Sequence, residues 1–270
     1  YIRKYSRTTE SKMKVTILQK DITWADAKAN IADAERLIKA APRSDLYVLP
    51  EMWTTGFATV PFDISEDIDH SISLDWMVNE AQSIHSALAG SLSVKADGKY
   101  RNRLYFVYPD GHYKYYDKHH LFKYGGEDKY YTQGEVRVVV EYDGMRFLLA
   151  TCFDLRFPEW LRNFNDYDCI LLVANWPESR QNAWQILLRA RAIENQCYVV
   201  GANRVGDDEF CHYIGNSAVV DAYGHTIGRC TRQTNTTVTC DISMEELNHF
   251  RNRFNIINDR DNYTFDKIII

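Results

Sequence analysis

Three reactive side chains close three expected strands: Glu51 ends "YVLPE", Lys118 ends "YKYYDK" and Cys152 ends "FLLATC". Singly, each has a plain explanation. A glutamate or lysine at a strand end is ordinarily solvated, and a lone cysteine is ordinarily core filler. Together they solve one chemical problem. A free thiol has a pKa of about 8.5 and needs help to become a thiolate at neutral pH. A carboxylate can take the proton, and an ammonium can favour the thiolate and then the oxyanion formed when sulfur attacks a carbonyl or nitrile carbon. The stretch "ATCFDLRFPEW" around Cys152 holds no histidine, and a glutamate base makes one unnecessary.

Structural readings of the thiol compete with this one. The six cysteines (152, 169, 197, 211, 230 and 240) form no CxxC pair, and the opening "YIRKYSRTTESK" is polar and basic, without the apolar region of a signal peptide. Reduced thiols in a cytoplasmic protein are expected, which weakens a disulfide. His119, His120, Cys211 and His212 have metal-ligand chemistry but not the spacing of a structural zinc site, so hydrogen-bonded neutral histidines and no metal are expected. A papain-like Cys–His pair lacks its local cysteine signature.

The chain has 270 residues, 45% hydrophobic and 26% charged, the profile of a globular protein of one large or two small domains. A formal net charge of -5 offers no footprint for nucleic acid. Clusters such as "RNR" (101–103) read as solvated loops or ion pairs. No apolar run approaches the roughly 18 residues of a membrane span. Residues 1–12 read as an extension outside the chemistry, and 13–270 as a single domain opening on the strand "KVTILQ".

The elements that must position the three residues follow from periodicity. Ala27, Ile31, Ala34, Leu37, Ile38 and Ala41 share one helical face, and a second helix is expected over Leu74–Leu88 with Met77, Val78, Ala81 and Ile84 in its stripe. Asp97-Gly98, Asp110-Gly111 and Asp143-Gly144 are hairpin turns. "PEWLRNF" opens with a proline suited to a first helical turn. "DCILLVANW" is a fully apolar strand, and "RQNAWQILLRARAIENQ" a helix with Ala183, Ile186, Leu187, Ala190 and Ile193 inward. "CYVVGANRV", "NSAVVDAYGHTIG" and "TTVTCDI" read as further strands, and "MEELNHFRNRF" as a late helix. Strands alternate with helices while several are hairpin-linked, so the fold class is α/β with mixed sheets. Two such sheets face to face with helices outside, a four-layer α-β-β-α sandwich, fit better than a TIM barrel, which needs eight regular strand–helix repeats.

"LPEMWTTGF", "YDKHHLF" and "CFDLRFPEW", in the order Glu, Lys, Cys, resemble the nitrilase superfamily of carbon–nitrogen hydrolases. "NWPESRQNAWQILLRARAIENQCYVVGANRVG" and "CHYIGNSAVVDAYG" are most similar to its omega-amidase branch. The resemblance implies an α-β-β-α sandwich with two mixed sheets of six-stranded type, a homodimer or larger assembly, and no cofactor. It implies Glu51 as general base and then acid, Cys152 as the nucleophile that becomes a thioester, and Lys118 with the backbone N–H of Phe153 as the oxyanion hole. A second glutamate after the lysine orients the site in this family, for which Glu127 is the candidate beside its neighbours Asp128 and Glu135. Trp176 and Phe57 are candidate pocket walls, Trp176 serving equally well as core. Arg156 reads as a structural ion pair with Glu159 or Asp154.

The implied substrate is a small-molecule amide, the terminal amide of a 2-oxo dicarboxylate monoamide such as 2-oxoglutaramate. Its far carboxylate needs a cation, with Arg180 or Arg204 as bidentate candidates against a solvated surface role for each. Nitrile and N-carbamoyl amino acid hydrolysis use the same triad, so fold and triad do not choose among them. A scaffold that binds without catalysis is a different class of reading, opposed by three intact triad positions.

Overall fold

The computed structural model describes residues 12–261, so residues 1–11 of the expected extension lie outside the described residues. Lys12, assigned to that extension, instead opens the first strand opposite Ser243. The chain runs β1 (Lys12–Gln19), α1 (Ala27–Ala40), β2 (Leu46–Val48), β3 (Glu66–Asp67), α2 (Ile72–Ile84), β4 (Ala87–Ala96), β5 (Lys99–Val107) and β6 (Tyr113–Asp117). It continues through β7 (Val139–Tyr142), β8 (Met145–Thr151), β9 (Cys169–Ala174), α3 (Gln181–Asn195), β10 (Tyr198–Asn203), β11 (Val205–Asp207) and β12 (His212–Ile214). The last elements are β13 (Ala218–Val220), β14 (Thr226–Arg229), β15 (Thr236–Ser243) and α4 (Met244–Arg253). Among the described residues no helix is long and apolar enough to cross a membrane.

Two mixed sheets carry the fold. The first has the order β15-β1-β2-β4-β5-β6, with β3 added beside β4, and the second the order β14-β13-β10-β9-β8-β7. Beyond the two sheets expected, β11 and β12 form a separate two-stranded ribbon. Strand side chains alternate between faces, and that alternation sorts the first sheet's core. Val15, Ile17, Val48, Leu104 and Phe106 share a cluster with Phe147 and Leu149 of the second sheet. The ring centroids of Phe106 and Phe147 lie 5.9 Å apart. The intervening Leu18, Tyr47, Leu88 and Tyr105 instead cluster with Leu37 and Ile38 of α1 and Leu74 and Met77 of α2. The sheets therefore face one another, with α1 and α2 outside the first.

Local chemistry explains the boundaries. Asp26 caps α1 by accepting from the Ala29 N–H at 2.9 Å, and Ser71 caps α2 by accepting from Leu74 N–H at 3.1 Å. Helix α2 stops at Ile84, short of the expected Leu88, because His85 adopts a left-handed conformation (φ 53°). Ala87 and Leu88 pair instead with Leu46 and Tyr47 of β2. Asp97-Gly98 turns β4 into β5 with both φ values positive (51° and 70°), as a tight hairpin requires.

Two expected features are corrected. The segment from Pro158 forms a turn, not a helix: the Asn163 side chain accepts from the Asn165 and Asp166 N–H groups, competing with helical bonding. Helix α3 presents another face than expected. Ile186 and Ile193 are 56% and 50% exposed, while Trp184, Leu188, Arg191, Ala192 and Asn195 are buried. Gly201 of β10 makes the room: a side chain there would stand 2.9 Å from Leu188 and 3.2 Å from Trp184.

Candidate active site

The three residues at strand ends arrive from both sheets. Glu51 follows β2 and Lys118 is the residue after β6, both in the first sheet, whereas Cys152 is the residue after β8 in the second. Cys152 opens the 3-10 turn Cys152–Arg156 with a positive φ of 46°. Lys118 and Glu51 are buried. The Lys118 ammonium donates to Glu51 Oε1 at 2.9 Å and to Glu127 at 2.9 and 3.2 Å. Glu127 also accepts from the Phe122 N–H at 2.6 Å, while its rivals Asp128 and Glu135 are exposed.

Burial and charge set the protonation states. Burial disfavours the Lys118 ammonium, but Glu127, Glu51 and Cys152 together outweigh it and raise its pKa, so the group stays charged. The Cys152 thiol is pushed well above its usual range, by burial first and then by the Glu51 charge, with Lys118 pulling the other way. Burial also raises the Glu127 carboxyl against the pull of Lys118. The resting thiol is therefore protonated, and it could act as a nucleophile only if a base took its proton.

Cys152 lines a cavity of about 430 Å³ with Phe57, Phe122, Phe153 and Trp176 on its walls. The Phe57 ring also lies 5.2 Å from Lys118 Nζ. Two guanidinium groups face this cavity, Arg180 5.2 Å from the Phe122 ring and Arg156 4.9 Å from the Trp176 ring. Among the described residues neither forms an ion pair. The carboxylate lining the cavity, Asp208, is already engaged by the N–H groups of Phe210 and Cys211, each at 2.8 Å, and by the Tyr213 hydroxyl at 2.6 Å.

Comparison with known proteins gives the family. The carbon–nitrogen hydrolase family profile matches residues 14–252. The chain belongs to the carbon–nitrogen hydrolase family. It is 41% identical to an omega-amidase YafV of Escherichia coli K12 over 252 residues, covering 93% of this chain and 98% of that protein. It is 32% identical to a 2-oxoglutaramate amidase of Bacillus subtilis, covering 92% and 97%. A solved Xanthomonas campestris member of the CN-hydrolase superfamily, carrying an arsenic adduct in its active site, superposes with a TM-score of 0.91 at 38% identity. That match covers 95% of this chain and all (100%) of the other. The chain is thus a hydrolase of carbon–nitrogen bonds other than peptide bonds.

Within this hydrolase the two expected clamp candidates separate. Arg180 reaches the cavity, whereas Arg204 does not line it. Arg204 is wholly buried, with Nη2 2.9 Å from Asp21, Nε 3.0 Å from the Val205 carbonyl and its guanidinium 4.5 Å from the Tyr213 ring centroid. It ties the β11–β12 ribbon to the end of β1. Arg156, expected as an ion pair, takes a place in the cavity. Three of the four metal-type residues have other partners: His119 stacks on Trp160 at 3.8 Å, His120 bonds Asp154 at 2.8 Å, and His212 bonds Asp207 at 2.7 Å. Among the described residues no metal-binding cluster occurs.

Sequence reasoning missed the polar groups that brace the triad. Asn102 lies inside the "RNR" read as a solvated loop or ion pairs. The arginines on either side do pair with Asp117, but Asn102 itself donates to Glu51 at 2.7 Å and to Glu127 at 3.1 Å. Its flanking Arg103 is also buried, bonding Asp117 at 2.7 Å. A signal existed: residue 102 continues the inward face of Leu104 and Phe106, where a polar residue needs a partner. Asn175 donates its N–H to Glu51 Oε2 at 2.8 Å and its amide to the Glu51 carbonyl at 2.7 Å. Buried Asp154 accepts from the Thr151 N–H (2.9 Å), the Tyr116 hydroxyl (2.8 Å) and the His120 N–H (3.0 Å). It thereby fixes the cysteine turn against the segment carrying Lys118.

Proposed function

We propose that this hydrolase is an amidase that cleaves the terminal amide of a short 2-oxo dicarboxylate monoamide, of the 2-oxoglutaramate or 2-oxosuccinamate type, to the acid and ammonia. The observation that carries the reading is a buried lysine held between two carboxylates beside a raised-pKa thiol, in a cavity faced by two guanidinium groups without an ion-pair partner among the described residues. The names of the relatives in Escherichia coli and Bacillus subtilis support the same substrate class.

The chemistry proceeds through a thioester. Glu51 takes the Cys152 proton as sulfur attacks the amide carbon, and the carbonyl oxygen becomes an oxyanion. The Lys118 ammonium and the Phe153 N–H stabilise that charge; the first N–H groups of a short helix have no partner within it. Glu51 returns the proton to the departing nitrogen, so ammonia leaves and the acyl group stays on sulfur. Water then attacks the thioester with Glu51 as base, the carboxylic acid is released and the thiol is restored. Glu127 keeps the ammonium aimed, Phe57, Phe153 and Trp176 wall the chain, and Arg180 offers the carboxylate a charge-assisted fork.

The test is a panel of 2-oxoglutaramate, 2-oxosuccinamate, glutamine, N-carbamoyl-β-alanine and a simple nitrile, followed by ammonia or product release with Cys152→Ala as control. The 2-oxo ω-amides are expected to have the highest kcat/KM, and the control no turnover. Faster turnover of the carbamoyl compound or the nitrile would refute the substrate while leaving the triad chemistry intact.

A further inference from the structure

Strand hydrogen bonding runs past the end of β2 and frames Glu51. Ser91 of β4 donates its N–H to the Pro50 carbonyl at 3.4 Å, and its own carbonyl accepts the Trp53 N–H at 3.2 Å. Between those two bonds, the Ser91 hydroxyl oxygen accepts the Met52 N–H at 2.8 Å. Met52, the residue after Glu51, holds a positive φ of 43°, a conformation that side chains resist. A single serine thus grips the backbone on both sides of the glutamate.

The same hydroxyl has a second partner. A backbone N–H can only donate, so the Ser91 oxygen is the acceptor toward Met52 and its hydrogen goes to Asn102 Oδ1 at 2.9 Å. That bond leaves the Asn102 amide nitrogen facing the two carboxylates, Glu51 at 2.7 Å and Glu127 at 3.1 Å. The bonds close a ring, from the Glu51 backbone through Ser91 and Asn102 to the Glu51 carboxylate. Ser91 and Asn102 are both buried, so bulk water does not replace a lost partner there.

We propose that Ser91 is a positioning residue for Glu51: its hydroxyl ties the carboxylate, through Asn102, to the glutamate's own backbone and so aims it at the thiol. The proposal rests on the reading of Glu51 as general base and deepens it, because Ser91 does not line the cavity. Aim matters here, since displacing a reacting group by about 1 Å can cost about a hundredfold in rate.

The experiment measures kcat and KM of the full chain on whichever amide of the panel wild type turns over fastest. The variants are Ser91→Ala, Ser91→Thr, Glu51→Gln and the double variant Ser91→Ala/Glu51→Gln. Ser91→Ala should lower kcat about tenfold or more with KM within about threefold, and Ser91→Thr, which keeps the hydroxyl, should recover most of that loss. In the Glu51→Gln background, Ser91→Ala should cost less than about twofold more, because the base it aims is already gone. The Glu51 charge raises the Cys152 thiol, so iodoacetamide alkylation of Ser91→Ala should shift toward lower pH as the carboxylate is displaced. Wild-type kcat in Ser91→Ala, or an equal loss in Ser91→Thr, would overturn the proposal and leave the Glu51 reading standing. The same fold loss with and without Glu51 would also overturn it, since Ser91 would then only support the strand. Near wild-type turnover in Glu51→Gln would remove the general-base reading and the proposal together.

Discussion

The charge of Glu51 opposes the thiolate that, in the proposed mechanism, the same residue helps to make. It raises the Cys152 pKa, so the sulfur is protected while the site is empty and activated when a proton can be passed on. Glu51→Gln removes that charge, and the thiol pKa should fall while Lys118 remains beside it. The pH profile of iodoacetamide alkylation is expected to shift toward lower pH, while turnover drops about a hundredfold or more through loss of the proposed general base. An unshifted alkylation profile would show that the charge does not govern the thiol. Glu51, Lys118, Cys152 and Glu127 were legible because each reactive type stood at a strand end or just beyond a motif. The division between Arg156, Arg180 and Arg204 was not. Arg204 is neutralised by Asp21, 183 residues away in sequence, and no local pattern carries that information.

Helix α3 shows how an element can be found and still be turned the wrong way. Its span was legible from periodicity, but counting apolar residues favoured Ile186 and Ile193. The buried stripe includes Arg191 and Asn195, whose polar atoms are satisfied by the Leu155 and Arg191 carbonyls. Burial of polar groups costs little once they are hydrogen-bonded, so packing overrides a hydrophobicity count. What sets the rotation is the slot at Gly201. Gly201→Ala places a methyl against Leu188 and Trp184 in a filled core, and overpacking of this kind costs about 1–3 kcal/mol. Urea unfolding should show a lower midpoint with an unchanged slope. A variant as stable as wild type would mean that α3 can shift outward.

Over the whole molecule, distant segments are held by a few buried charges. Asp168, the residue before β9, binds Arg146 of β8 at 2.8 Å and Arg251 of α4 at 2.6 Å. Burial pushes its carboxyl upward, but the hydrogen bonds from Arg146 and Arg251 prevail and hold it below the usual range. A depressed folded pKa contributes stability above the unfolded value of about 3.9, and the contribution is lost as pH falls through the folded pKa. Asp168→Asn should therefore melt well below wild type at pH 7, with the gap narrowing below about pH 4. A gap independent of pH would assign the effect to packing. The sheets were legible as mixed from hairpin turns and apolar strands; the ribbon and the short β3 were not, because strands of two or three residues carry no period to read.

The left-handed backbone at Cys152 has a consequence for how the protein can change. A side chain in that conformation costs about 1–2 kcal/mol relative to glycine, and the cost recurs in every folded copy whether or not substrate is present. Selection for resistance to heat alone would thus tend to erase the proposed nucleophile, while selection for turnover would retain it.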